Sequence, residues 1–103
     1  MLDLTINEQE GRLVVTFNGD FDNMASSQAE SNLSPVFERT DCDVVLDCTE
    51  LNYISSSGLR IMLNVYKHTR KNGHEAILKG MVDEVEEVFR LSGFLQLFKV
   101  ESV

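Results

Sequence analysis

Ser55, Ser56 and Ser57, followed by Gly58, are the residues of this chain best placed for chemistry. They sit inside the segment Leu51-Asn-Tyr-Ile-Ser-Ser-Ser-Gly-Leu-Arg-Ile-Met-Leu63, between an apolar, strand-like run and an amphipathic helical pattern. Hydroxyls at such a junction lie among backbone N–H groups that have no intrahelical partner. The place suits a phosphate, a helix cap or a nucleophile. A serine nucleophile also needs a base and an oxyanion hole. The Gly-x-Ser-x-Gly elbow is absent, because Ser55-Ser-Ser-Gly58 lacks the first glycine. His68 and His74, the only histidines, fall on polar stretches and read as surface residues. A small serine hydrolase is therefore disfavoured.

Other chemistries find less support. There is no phosphate-binding glycine loop with lysine and no Gly-x-Gly-x-x-Gly. Asp41, Asp43 and Asp47 lack the spacing and glycine of a calcium loop. They read as residues flanking a strand in solvent, with one carboxylate placed near the serines as the lesser alternative. Cys42 and Cys48 match no common zinc pattern and read as reduced thiols. We expect no cofactor, no metal site and no catalysis. Ser26, Ser27 and Ser92 are simplest as cap or turn residues, and the acidic run Asp83 to Glu87 as compensation of a helix dipole.

The serines must be held by regular elements. Leu2, Leu4 and Ile6 alternate with polar residues, which predicts a half-exposed strand. Glu8 to Gly11 reads as a turn, and Arg12 to Asn18 as the hairpin partner, with Gly19-Asp-Phe-Asp22 breaking the pattern. A helix is expected from about Asn23, with Met24, Ser27 or Gln28, Ser31 and Val36 or Phe37 on one face and an interruption at Pro35. Val44-Val-Leu46 predicts a buried strand, and Thr49 to Ser55 a loop anchored by Leu51 and Ile54. In the next helix Leu59, Met62, Leu63 and Tyr66 make the apolar stripe, with Gly73 as its stop. Ile61 and Val65 form a second apolar pair, which is either covered by another helix or faces a partner. Ala76 to Leu78 is a short buried strand. Val82, Val85 and Val88 or Phe89 mark a helix ended by Ser92-Gly93, and Phe94 to Val100 a last strand. The order is β-β-α-β-α-β-α-β, an α/β fold with a mixed, mostly parallel sheet, an N-terminal hairpin and covering helices.

A length of 103 residues fits one domain, and no repeat or linker-like stretch divides it. The net charge is −8, from 17 acidic and nine basic residues, which argues against nucleic-acid binding. Arg60, Lys67, Arg70 and Lys71 cluster, and no Asp or Glu occurs from Leu51 through His74. The cluster is either a solvated helix face or a docking surface for an acidic protein. Met1-Leu-Asp-Leu carries no basic n-region, and no apolar window is long enough to span a bilayer. A cytoplasmic protein without membrane insertion is the expectation.

With these elements in order, the chain resembles the STAS family, in particular the single-domain bacterial anti-sigma factor antagonists. The resemblance rests on Gly19-Asp-Phe-Asp22, Val44-Val-Leu-Asp47, Tyr53-Ile-Ser-Ser-Ser-Gly-Leu59, Gly73 before a strand, and Phe89-Arg-Leu-Ser-Gly-Phe94. It implies one STAS domain over residues 1–103. The family motif is Asp-Ser-Ser-Gly, so with Gly58 fixing the register the resemblance nominates Ser56 as the phosphorylation site. Ser55 stands where the aspartate is usual, and Ser55 and Ser57 remain competitors. Asp22 matches an acidic residue that the family holds near this serine. The implied partners are an anti-sigma factor that is also a serine kinase, and a separate metal-dependent serine phosphatase. The unmodified protein would bind the kinase and the phosphorylated one would not. A STAS subunit of a lipid-transport or stress-signalling assembly, binding its partner constitutively, is the alternative.

From the residues themselves, a phosphate on Ser56 adds about −1.5 to −2 charge. Near Asp20 and Asp22 it would make a local negative surface. A partner seated on Asp20, Asp22, Ser55, Ser57, Gly58, Ile61 and Val65 would lose roughly 100-fold or more in affinity.

Overall fold

The computed structural model describes residues 2–101. Strands β1 (Leu2–Gln9) and β2 (Arg12–Phe21) form an antiparallel hairpin. Its two turn residues, Glu10 and Gly11, both have positive φ, 53° and 78°. A two-residue hairpin loop needs that handedness to match the strand twist, and Gly11 adopts it without strain. β3 (Val44–Ile54), β4 (Ala76–Lys79) and β5 (Lys99–Glu101) then add in parallel, giving the spatial order β1-β2-β3-β4-β5. Helices α1 (Asn23–Asn32), α2 (Ser34–Phe37), α3 (Ser56–Lys71) and α4 (Asp83–Ser92) fill the crossovers. The sheet is mixed and mostly parallel, with the expected N-terminal hairpin.

The core follows from the patterning. Leu13, Val15 and Phe17 alternate inward along β2 and meet Val44, Leu46 and Leu78. Leu33, Met62, Val65, Val85 and Phe89 pack on them from the helices. Each such side chain contributes roughly 1.5–3 kcal/mol on burial. Val45 and Ile77, cross-strand neighbours on the opposite pleat, are buried as well, as expected of strands covered on both faces. Among the described residues no helix is long and apolar enough to cross a membrane.

Several elements differ from expectation for identifiable reasons. Pro35 divides the first helical region: α1 stops at Asn32, and Pro35 lies in the first turn of α2, where its missing N–H costs nothing. The expected face of α1 points outward. Met24 is 91% exposed and Ser27, Gln28 and Ser31 are exposed, while Ala29, Leu33 and Val36 are buried. The segment Thr49 to Ile54 is strand, not loop. Cys48, Leu51 and Ile54 are buried at every third residue, which is not a strand period. The pairing explains it: Thr16 aligns with Asp47 and Phe21 with Ile54, so β3 uses two more residues than β2 across two register shifts. The C-terminal strand is shorter than Phe94 to Val100. Phe94–Gln96 form a 3-10 turn, and only Lys99–Glu101 pair with β4. Phe98 is the anchor, its ring 5.3 Å from Tyr66 and 5.7 Å from Phe89.

α3 ends as its sequence predicts. Gly73 (φ 77°) donates its N–H to Arg70 O, and His74 donates to Thr69 O at 2.8 Å. This double closure is the Schellman arrangement. The two histidines are not free surface residues. His68 Nε2 lies 2.6 Å from Arg39 O, with its ring edge-on to Phe37. His74 Nδ1 lies 3.1 Å from Asp43 Oδ1, which also accepts from Glu75 N. Each fastens a loop to α3 or β4. Cys42 and Cys48 are both free and buried.

Candidate functional site

The serines lie where β2 and β3 end side by side. Phe21 pairs with Ile54, and Ser55 N–H donates to Phe21 O at 2.8 Å, which extends the ladder by one bond. Ser55 remains extended (φ −87°, ψ 171°), and its Oγ accepts from Gly58 N at 3.2 Å. It is thus the N-cap of α3, and its carbonyl accepts the first helical bond from Leu59 N at 2.9 Å. Gly58 is fixed by close approach. A Cβ there would stand 2.8 Å from Phe21 Cδ1 and 3.1 Å from Ile54 Cγ1. The first turn of α3 therefore rests directly on the strand ends.

A chain of hydroxyls joins α3 to α1. Ser57 Oγ donates to Asn23 Oδ1 at 2.6 Å and lies 3.1 Å from Ser55 Oγ and 2.7 Å from Ser26 Oγ. Each hydroxyl has one proton, and since Ser57 spends its proton on Asn23, Ser55 donates to Ser57. Ser26 Oγ also lies 3.1 Å from Asp22 O, so its one proton is shared between that carbonyl and Ser57 Oγ. The Asp22 carboxylate caps α1, accepting from Ala25 N at 2.9 Å. Two helix N-termini thus converge, one capped by Asp22 and the other by Ser55.

Ser56 is the exception within the triplet. Ser55 is buried at 6% exposure and Ser57 is half-buried, whereas Ser56 is exposed at the first position of α3. Among the described residues its hydroxyl has no side-chain partner. The N–H groups of Ser56 and Ser57 precede the first intrahelical bond, a setting that tolerates an anion. Asp20 is exposed and Asp22 half-buried at the same end of the sheet. His68, twelve residues along α3, is roughly 18 Å away along the axis, so the serines have no imidazole from this helix to act as a base. Among the described residues no group of three His, Cys, Asp or Glu is placed to hold a metal ion.

A model of the STAS domain matches residues 3–103. The chain belongs to the STAS domain family. A STAS relative from Bordetella bronchiseptica, BtrV, named as a candidate anti-sigma factor antagonist, is 37% identical over 97 residues, covering 94% of this chain and 84% of its own. Among solved structures, the anti-sigma factor antagonist SpoIIAA in its unphosphorylated form superposes with a TM-score of 0.81 at 18% identity, over 98% of this chain and 88% of its own. The Bacillus SpoIIAA in its phosphorylated form gives 0.75 at 16% identity, over 98% and 91%. These two likenesses show the STAS fold.

Not every nominated residue of this STAS chain reaches the site. Asp20, Asp22, Ser55, Ser56, Ser57 and Gly58 gather at the strand ends. Ile61 and Val65 do not form a partner-facing patch: they are 6% and 0% exposed and belong to the core. The reason is that α1 and α2 lie against α3 as well as the sheet, so the buried sector is wider and centred on Met62, Val65 and Thr69. Leu63 and Tyr66 are only half-buried. Sequence reasoning missed Asn23 and Ser26 as partners of Ser57, and missed the exposed side chains of Tyr53 (52%) and Met24 (91%) nearby in the chain. Asn23 adjoining the capping Asp22 was the available signal. Nothing local marks Ser26, which meets Ser57 only through the fold.

Proposed function

We propose that the chain is an anti-sigma factor antagonist, a binding module that holds an anti-sigma factor kinase while Ser56 is unmodified and releases it once Ser56 carries a phosphate. The observation that carries this reading is the difference among the three serines. Ser55 is spent on the cap and Ser57 on the link to Asn23, while the Ser56 hydroxyl is exposed and free among the described residues. The kinship with BtrV supports the class of partner. A solved phosphorylated SpoIIAA supports the kind of control. Gly58 and the hydroxyls of Ser55 and Ser57 shape the floor of the contact, and Asp20 and Asp22 its acidic rim.

A phosphate on Ser56 finds unpaired N–H groups and the positive end of the α3 dipole, so the fold accepts it. The partner meets added charge beside Asp20 and Asp22 together with the cost of desolvating it. The protein acts as a substrate and ligand, in the cytoplasm, and a separate serine phosphatase restores it. Capture from native lysate with wild type, Ser56→Ala and Ser56→Asp tests the reading. The expected result is one kinase-like protein held by wild type and Ser56→Ala and lost, by roughly 100-fold in affinity, with Ser56→Asp. Equal capture by all three would overturn it in favour of a constitutive scaffold. Hydrolysis of a generic ester that disappears in Ser56→Ala would overturn the non-enzymatic part.

A further inference from the structure

The outward face of α3 carries cations that the rest of the molecule leaves uncompensated. Elsewhere four of the five other basic residues are paired: Arg12 with Glu101, Arg39 with Glu8 and Asp41, Arg90 with Glu86 and Glu87, Lys99 with Glu75. The fifth, Lys79, has no ion pair among the described residues and stands at the end of β4, outside α3. Arg60, Lys67, Arg70 and Lys71 have no ion pair among the described residues and are all exposed. At about 100° per residue, Arg60, Lys67 and Lys71 fall within a narrow arc opposite the buried Met62 and Thr69, with Arg70 beside it. Ser56 begins the same arc, and the row from Arg60 to Lys71 runs about 16 Å.

Helix stability accounts for only part of this row. Arg70 and Lys71 lie in the last turn, where the dipole favours cations. Arg60 lies near the N-terminal end, where the dipole opposes them, and no ion pair among the described residues offsets it. A net charge of −8 repels an extended polyanion at long range. A short row of cations on such a molecule suits a short, locally acidic protein segment. The row also starts one turn from Ser56, so a partner seated on the serine end reaches it without a gap.

We propose that this face of α3 is a docking surface for an acidic segment of a protein partner, with Arg60, Lys67 and Lys71 facing its carboxylates. This rests on the reading of the chain as a binding module, but not on modification of Ser56.

The test is a titration of the isotope-labelled full chain, followed by NMR at low salt, with a synthetic helical peptide carrying Glu along one face. The same peptide with Gln in place of Glu, a single-stranded oligonucleotide and phosphatidylglycerol vesicles are the other probes. Expected are saturable shifts confined to the outward face of α3 with the Glu peptide. Affinity should fall by about tenfold or more in Arg60→Glu and in Lys67→Glu/Lys71→Glu, fall with added salt, and hold in Lys79→Glu. Absence of saturable shifts on α3, an equal response to the Gln peptide, or stronger binding of oligonucleotide or vesicles would overturn the proposal. The wild-type map needs no variant, and thermal melts confirm that each variant is folded. The lysate capture reads Ser56 separately, so either experiment can fail alone.

Discussion

Gly58 shows how little room the serine end has. Alanine favours a helix over glycine by about 1 kcal/mol, yet the added methyl would press on the fully buried Phe21 ring. Overpacking of this kind costs about 1–3 kcal/mol. Gly58→Ala should therefore lower the melting temperature, by several degrees, despite the better propensity, as differential scanning calorimetry would read. Ser57→Ala removes the link to Asn23 and should cost about 1 kcal/mol, with Ser56 left accessible. Cys48 makes a different statement. Burial, with a smaller effect of Asp47, pushes its thiol up to about 12. The folded state holds this proton where the unfolded state has lost it, so the contribution is complete below the ordinary thiol range. It declines as pH rises from about 9 towards 12, with a slope of at most about 1.4 kcal/mol per pH unit. Urea titrations across that range should show the loss in wild type and less of it in Cys48→Ala.

At the scale of elements, α3 joins two tasks: its inner face closes the core, and its first turn presents Ser56. Val65→Lys places a charge at a fully buried position and should destabilise by about 3 kcal/mol or more, visible as a collapsed circular-dichroism melt. The same substitution at Asn64, exposed next door, should be near neutral. Much of this architecture was legible in the sequence. The hairpin, the buried runs of β3 and β4, a serine cap somewhere within Ser55 to Ser57 and the glycine stop of α3 all rest on local signals. What escaped depends on neighbours. The orientation of α3 was misjudged because its own periodicity cannot report that α1 and α2 also cover it. The far half of β3 read as loop because its bulges turn a two-residue alternation into burial at every third residue. Phe94 to Val100 has strand-like composition, but Phe98 anchors a turn against Phe89 of α4 while Leu97 and Val100 stay exposed.

For the whole molecule, the proposed switch implies that a phosphate on Ser56 alters binding and not shape. Nothing at Ser56 must move to admit a phosphate, since the hydroxyl is outside the Ser55–Ser57–Asn23 chain. Modified and unmodified protein should melt within a few degrees of each other, and their amide spectra should differ only around the α1 and α3 N-termini. A large change in melting temperature would contradict this. The two extra residues of β3 carry another consequence, one of counting. The site is positioned by how many residues lie between Asp47 and Ser55 as much as by which they are. Removing Asn52 alone would move each following side chain back by one place in the register. Tyr53 would take the exposed place of Asn52, Ile54 would be driven outward, and Ser55 would be drawn into the buried place of Ile54. Substitution at Asn52, an exposed position, should be nearly silent. A deletion scan through 49–53 would therefore expose a ruler that substitution scans pass over.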